Sequence, residues 1–229
     1  LLLKKPALAV ITRGRAAALG AGHWPAANLA VISPGTGLGE ALLYWDGTRH
    51  HPIASEGGHG GFAPRGKLQI ELLEWLDHTR GAHVSCERVL SGPGLIAIYE
   101  FLRLSGRGRE SAPLARARAR GDLAAAISGA GLARRDAVAT RALDMFVSIL
   151  GAEAGDLALR FCATGGILIG GGIPPKILSA LHRPAFVEAF ADKGRFAPFL
   201  RDIPVLAAKD PGVALLGAAH WAADGPTGH

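Results

Sequence analysis

Apolar residues fall into short runs separated by glycine- and proline-rich breaks, and their spacing switches between two periods along the chain. Residues 28–33, Asn-Leu-Ala-Val-Ile-Ser, are an apolar run bounded by turn residues, which predicts a buried strand. Residues 40–45 predict a second strand, and Asp46-Gly47 behind it is a hairpin signal. Residues 50–66, rich in Gly, Pro and His, read as loop. From 67 to 78, Leu68, Leu72, Leu73, Trp75 and Leu76 recur with helical spacing. Ser85 stands where it would cap a helix, with Arg88 in the place where a Glu would complete the capping box. Gly92-Pro93-Gly94 interrupts, and residues 95–104 resume a helix. Residues 105–121 read as a solvated connection with room for one short helix. Further helices are expected over 122–128 and 136–160, the second apolar on most faces and therefore buried. Residues 165–172 give a short buried strand between two glycine turns. Pro174-Pro175 opens a helix, and 184–192 gives another. A strand follows over 203–207, and a last helix over 212–222.

Strands alternating with helices, without repeats or low-complexity tracts, predict an α/β domain with a mixed sheet flanked by helices. The chain has 229 residues, 49% of them hydrophobic, enough to build a sizeable core and to exclude a disordered class. Its net charge of +6 raises nucleic acid as a partner. The excess is local: Arg103, Arg107, Arg109, Arg116, Arg118 and Arg120 cluster, with Glu110 opposing them. No aromatic residue interleaves with these arginines, so they read as a solvated face rather than a nucleic-acid site. Cys86 and Cys162 form no metal-ligand spacing, and a chain of this size does not need a disulfide, so a cytoplasmic location is expected. No run approaches the roughly 18–20 apolar residues that span a bilayer. The N-terminus lacks the order of a signal peptide. Met145 is the only methionine, which suggests that the sequence begins inside a longer or processed product.

Three segments carry chemistry. Gly35-Thr36-Gly37-Leu38-Gly39 joins two apolar strands, and its glycines let backbone N–H groups converge on an anion while Thr36 adds a hydroxyl. The spacing is neither a Walker A loop nor the dinucleotide GxGxxG, and an ordinary tight hairpin is the alternative. Gly170-Gly171-Gly172 ends a buried strand before a helix start, a common place for nucleotide contacts in α/β sheets. Glu56 and His59 flank Gly57-Gly58; those glycines disfavour a helix and hence a metal pair, but on a loop both side chains suit sugar hydroxyls, an incidental surface turn being the alternative. Glu87 stands at a helix start, where a carboxylate is favoured for dipole reasons alone, and Arg88 is available to pair with it or another carboxylate. His23, His50, His51, His78 and His229 have no constellation around them.

In this order the segments resemble the bacterial glucokinase family, of the hexokinase-like branch of the actin, Hsp70 and sugar-kinase superfamily. The matching stretches are SPGTGLG at 33–39, EGGHGGFAP at 56–64, HVSCERVLSGPGL at 83–95, GGILIGGGI at 165–173, FADKGRF at 190–196, DIP at 202–204 and PGVALLG at 211–217. The resemblance implies the large C-terminal domain of an actin-like ATPase (ribonuclease H-like) fold over 24–229, with 1–23 the remnant of an interdomain segment. It implies phosphorylation of glucose at its 6-hydroxyl by ATP with Mg2+. Glu56, His59 and Glu87 would bind sugar hydroxyls; Gly35, Thr36 and Gly37 the ATP phosphates; Gly171 and Gly172 would lie near the nucleotide. The zinc-binding cysteine cluster of the related ROK kinases is missing, which favours the glucokinase branch.

The family pattern also has an early Asp-x-Gly-Gly-Thr phosphate motif and an Asn-Asp pair whose Asp is the general base. Neither is found here, and no acidic residue precedes Glu40. A general base contributes about 10²–10⁴-fold, so these residues alone are expected to be nearly inactive as a kinase. A non-catalytic sugar-binding or regulatory protein derived from a glucokinase is the competing expectation. A domain stripped of a neighbour is also expected to expose apolar surface that favours homodimerisation or aggregation.

Overall fold

The computed structural model describes residues 7–12, 14, 25–81 and 83–224, with side chains up to 219. Six strands form one mixed sheet: β1 (Leu8–Thr12), β2 (Leu29–Pro34), β3 (Leu38–Trp45), β4 (His50–Ser55), β5 (Gly166–Ile169) and β6 (Val205–Ala208). Their spatial order is β1-β6-β5-β2-β3-β4. The central strands β2, β5 and β6 run parallel, while β1, β3 and β4 pair antiparallel with their neighbours. Central parallel strands are covered on both faces, which is why the sequence there is a continuous apolar run rather than an alternation.

Nine α-helices accompany the sheet among the described residues: α1 (Gly66–Arg80), α2 (Gly92–Leu104), α3 (Ala112–Arg120), α4 (Leu123–Leu132), α5 (Ala137–Arg160), α6 (Leu178–Leu181), α7 (Pro184–Ala191), α8 (Ala197–Arg201) and α9 (Val213–Asp224). The core is built on α5, capped by the Asp136 carboxylate, which accepts from Ala139 N at 2.9 Å. It packs on α2, α4 and α7. A side chain at Gly151 would collide with the carbonyl of Phe186, so the missing Cβ sets how closely α7 approaches.

Several expectations change. Residues 50–55 are not loop but the edge strand β4, in full register with β3 from Glu40↔Ser55 to Trp45↔His50. β4 buries neither face, so its sequence carries no apolar alternation, and an edge strand tolerates Pro52. His50 and His51 are not free surface residues: His50 Nε2 lies 3.0 Å from the Ala27 carbonyl, and His51 Nε2 lies 2.5 Å from Asp46. The Asp46 carboxylate also accepts from Thr48 and Arg49, and these bonds hold it well below the usual carboxylate range. Glu110 is not alone against the arginines: Arg103 pairs with Glu100, Arg107 with Glu71, and Arg118 with both Glu100 and Glu110. Of the segment 1–23, Leu8–Thr12 is a strand of the sheet and most of the rest, His23 included, lies outside the described residues, as does His229. No helix among the described residues is long and apolar enough to cross a membrane.

Candidate functional site

The three chemical segments meet at one end of the central strands β2 and β5. The turn 35–37 is closed by Gly35 N donating to the Gly37 carbonyl at 2.8 Å, and Gly92 N donates to the Gly35 carbonyl at 2.9 Å, fixing the start of α2 against it. Its other neighbour is the second glycine turn: a side chain on Gly35 would lie 3.8 Å from Gly172 N. Gly171 has φ of 88°, the left-handed region, and a Cβ there would collide with the Pro34 carbonyl. The sequence therefore places β2 and β5 side by side and ends both in glycine turns that face each other. Among the described residues, the N–H groups of Thr36, Gly37, Gly171 and Gly172 have no acceptor. Free amides clustered in turns are suited to an anion.

The segment 86–88 is a 3₁₀ turn, not the first turn of a long helix, and Ser85 makes no capping bond. The cap of the following helix is Ser91, whose Oγ accepts from Gly94 N at 3.0 Å and donates to the Glu87 carbonyl at 2.8 Å. Pro93 sits in the first turn of α2, where its missing N–H is not needed. Glu87 does not pair with Arg88. Its Oε2 accepts from Leu38 N at 3.0 Å, and a Cβ on Gly37 would lie 2.6 Å from that oxygen. The carboxylate is thus pinned against the phosphate-type turn, and only glycine fits beside it.

Glu56 precedes the 3₁₀ turn Gly57–His59, and His59 ends it. Their side chains are 92% and 62% exposed, with 4.0 Å between Glu56 Oε2 and His59 Nε2. The loop is held from behind, through Cys86 N to the Gly60 carbonyl at 2.8 Å, Phe62 N to the Val84 carbonyl at 2.9 Å, and His83 Nε2 to the His59 carbonyl at 2.8 Å. A cavity of about 430 Å³ opens between the segments, lined by Thr36, His59 and Glu87 together with Arg80, His83, Ser85, Arg88, Ser91 and Pro93. Glu56 stands outside this lining. Sequence reasoning gave Arg80 and His83 no role; their only signal was that they flank the stretch 83–95.

Beneath the loop lies a buried polar cluster that sequence reasoning passed over. Glu40, on β3, is 5% exposed, and neither carboxylate oxygen has a hydrogen-bond partner. Burial, with the Glu153 carboxylate nearby, raises it to about 7 against the pull of Arg160. Glu153, on α5, accepts from Arg160 at 2.7 Å and from the Cys86 thiol at 3.2 Å. Burial and the Glu153 charge push that thiol far above its ordinary value, so it is an inert hydrogen-bond donor rather than a nucleophile. The signal was a glutamate at an inward position of an apolar strand. Among the described residues, no group of three potential ligands could hold a metal ion.

The glucokinase family model matches residues 5–225. The chain belongs to the glucokinase family. It is 41% identical over 213 residues to a glucokinase of Nostoc sp. (strain PCC 7120 / SAG 25.82 / UTEX 2576), covering 88% of this chain and 62% of the relative. Against the crystal structure of glucokinase from an Antarctic psychrotroph it superposes with a TM-score of 0.75 at 32% identity, covering 95% of this chain and 62% of that one. A ROK family glucokinase from Streptomyces griseus, solved with glucose and AMPPNP, gives a TM-score of 0.61 at 25% identity over 90% of this chain and 62% of that one. The sheet and its flanking helices are thus those of glucokinases and ROK sugar kinases, the actin-like ATPase fold. The chain spans about three-fifths of the length of these glucokinases.

Proposed function

We propose that residues 24–229, together with the strand β1 that pairs onto their sheet, are the large C-terminal domain of a cytoplasmic kinase that transfers the γ-phosphoryl group of ATP, with Mg2+, to the 6-hydroxyl of glucose. The observation that carries this is Glu87: one carboxylate lines the 430 Å³ cavity beside His59 and is hydrogen-bonded to Leu38 N at the end of the phosphate-type turn. A sugar gripped by Glu87 would be set directly against bound phosphates. Glu56, His59 and Glu87 are proposed to bind sugar hydroxyls, the carboxylates accepting and the imidazole donating or accepting.

Gly35, Thr36 and Gly37 on one side, and Gly171 and Gly172 on the other, are proposed to hold ATP. The fit rests on acceptor-free N–H groups in two glycine turns that face each other. Mg2+ would travel with the nucleotide and neutralise phosphate charge. Phosphoryl transfer relies mainly on positioning and charge stabilisation; the amides offer the charge stabilisation, and the carboxylates the positioning of the sugar. With no acidic residue before Glu40, the proton acceptor for the sugar hydroxyl is proposed to lie outside these 229 residues, which alone would turn over glucose very slowly. Apolar surface left exposed on such a domain is proposed to favour a homodimer, which size-exclusion chromatography at two concentrations checks.

Calorimetric titration of the chain with glucose, repeated with Glu56→Gln, tests the site. Saturable binding that weakens at least tenfold in the variant is expected. Binding unchanged in the variant would remove Glu56 from the sugar site, and no binding at all would remove the site.

A further inference from the structure

The floor beneath the sugar segments is charged and incompletely paired. Glu40 lies on β3 directly across from Ser55, the last residue before Glu56. Its Oε2 presses on Gly57 so closely that any Cβ there would collide with it, while Gly57 N donates to Ser55 Oγ at 2.8 Å. From the other side come Glu153 and Arg160 of α5, and Cys86, whose thiol bonds Glu153 and whose backbone N–H bonds the Gly60 carbonyl. Cys86 is adjacent to Glu87. Three buried side chains, Glu40, Glu153 and Cys86, with Arg160 reaching Glu153 from the surface, therefore support both Gly57–His59 and Cys86–Arg88.

We propose that Glu40 is a positioning residue for sugar binding, which keeps the loop 56–61 in its binding arrangement only while its own carboxyl is neutral. The inference rests on the assignment of Glu56, His59 and Glu87 to the sugar. Neutral, the carboxyl fits under Gly57 without a second negative charge beside Glu153. Ionised, it has one nearby cation, Arg160, and that guanidinium already pairs with Glu153. Two buried carboxylates sharing one half-exposed cation repel, and the ionised group gains by moving toward water. The backbone lying on it is Gly57, so the loop shifts with it. The position of Glu40 near 7 puts this change in the neutral range.

Two measurements on the whole chain separate this inference from the reading it rests on. Amide hydrogen exchange of residues 56–61 is compared at pH 6 and pH 8.5, at matched intrinsic exchange, in the wild type and in Glu40→Gln, an uncharged near-isostere. Calorimetric glucose binding is followed over the same range. In the wild type, exchange of the loop is expected to rise and glucose affinity to fall about tenfold between the two conditions; in Glu40→Gln both stay at their low-pH values. Glu40→Ala, which opens a hole instead of fixing a charge, is expected to be loose at both. If glucose fails to bind but loop exchange tracks the charge of Glu40, the sugar assignment falls and the support role stands. If glucose binds, and neither affinity nor exchange differs in pH dependence between wild type and Glu40→Gln, the support role is overturned while the sugar assignment survives.

Discussion

The helical back of the molecule and its cleft edge use the same residue types in opposite ways. Around α5 the charges close on each other. Arg183 meets Asp144 at 2.6 Å, Lys193 reaches both Asp156 at 2.5 Å and the Ala152 carbonyl at 2.9 Å, and Arg118 is shared between Glu100 and Glu110. At the cleft edge the charges stay open. Arg80 and Arg88 line the cavity without an ion pair among the described residues, Glu56 is almost wholly exposed, and four backbone N–H groups have no acceptor. These part-buried pairs are closed and leave nothing for a ligand. Open groups held by glycine turns and backbone bonds keep their capacity for a partner. The difference shows that a binding edge is recognised less by which polar residues it holds than by which of them the fold declines to satisfy.

The sharpest way to break this contrast is to damage the back and watch the edge. Phe186 is fully buried, stacked near Phe190 with ring centroids 6.3 Å apart, and its carbonyl touches Gly151. Phe186→Ala should cost about 3–5 kcal/mol in denaturant unfolding, with glucose affinity unchanged wherever the protein is still folded. A matching loss of affinity would mean that the two regions are not separable.

Glu40 belongs to both regions and should show itself as a pH-dependent weakness. Its carboxyl sits at about 7 in the folded chain against 4.5 ordinarily. Between those values the folded state keeps a proton that the unfolded state has lost, so the stability it contributes is complete below about 4.5 and is lost as pH rises through 7. The wild type should lose up to about 3 kcal/mol over that interval relative to Glu40→Gln, and less if water reaches the group. Chemical denaturation at pH 4.5 and pH 8 checks it; parallel curves for the two proteins would mean that the Glu40 carboxyl titrates alike in the folded and unfolded chain.

A purely local effect is expected at Glu87. Glu87→Gln retains an oxygen for the Leu38 N–H but loses the charge facing the cavity. Hydrogen bonds to charged groups are worth about 1.5–3 kcal/mol, so glucose should bind about 10–100-fold more weakly while the melting temperature barely moves. A melting temperature that falls with unchanged glucose affinity would make Glu87 a brace for the turn and nothing more.

The sequence made the central architecture readable because periodicity there follows burial. The runs 28–33 and 203–207 and the long stretch 136–160 are covered from several sides, so their composition alone betrays them. Edges were harder. β4 reads as His-His-Pro and has one buried neighbour, β3, so no alternation is imposed on it. The short α8 (Ala197–Arg201) offers too few turns to set a period. Glycine turns and Glu56, His59 and Glu87 are visible as local chemistry, but Ser85, a good capping residue by type, stands before a 3₁₀ turn and makes no capping bond, while Ser91 caps α2. Glu40 was invisible as a site residue. Its role depends on Gly57, Glu153 and Cys86, which lie at four separate places in the chain with it, and no local pattern encodes that meeting.

The smallest effect tests a place where the back resembles the edge. Tyr99, on α2, is fully buried, and its hydroxyl has no hydrogen-bond partner. Burial pushes that hydroxyl up to about 12, so it is neutral at every working pH. A buried hydroxyl without a partner has lost its water without recompense, and removing it leaves the ring packing intact. Tyr99→Phe should therefore leave stability unchanged or raise it by about 1 kcal/mol, with no change in glucose binding. A loss of stability instead would show that an ordered water or a shifted Glu110 satisfies the hydroxyl, and that the helical back is closed there as it is elsewhere.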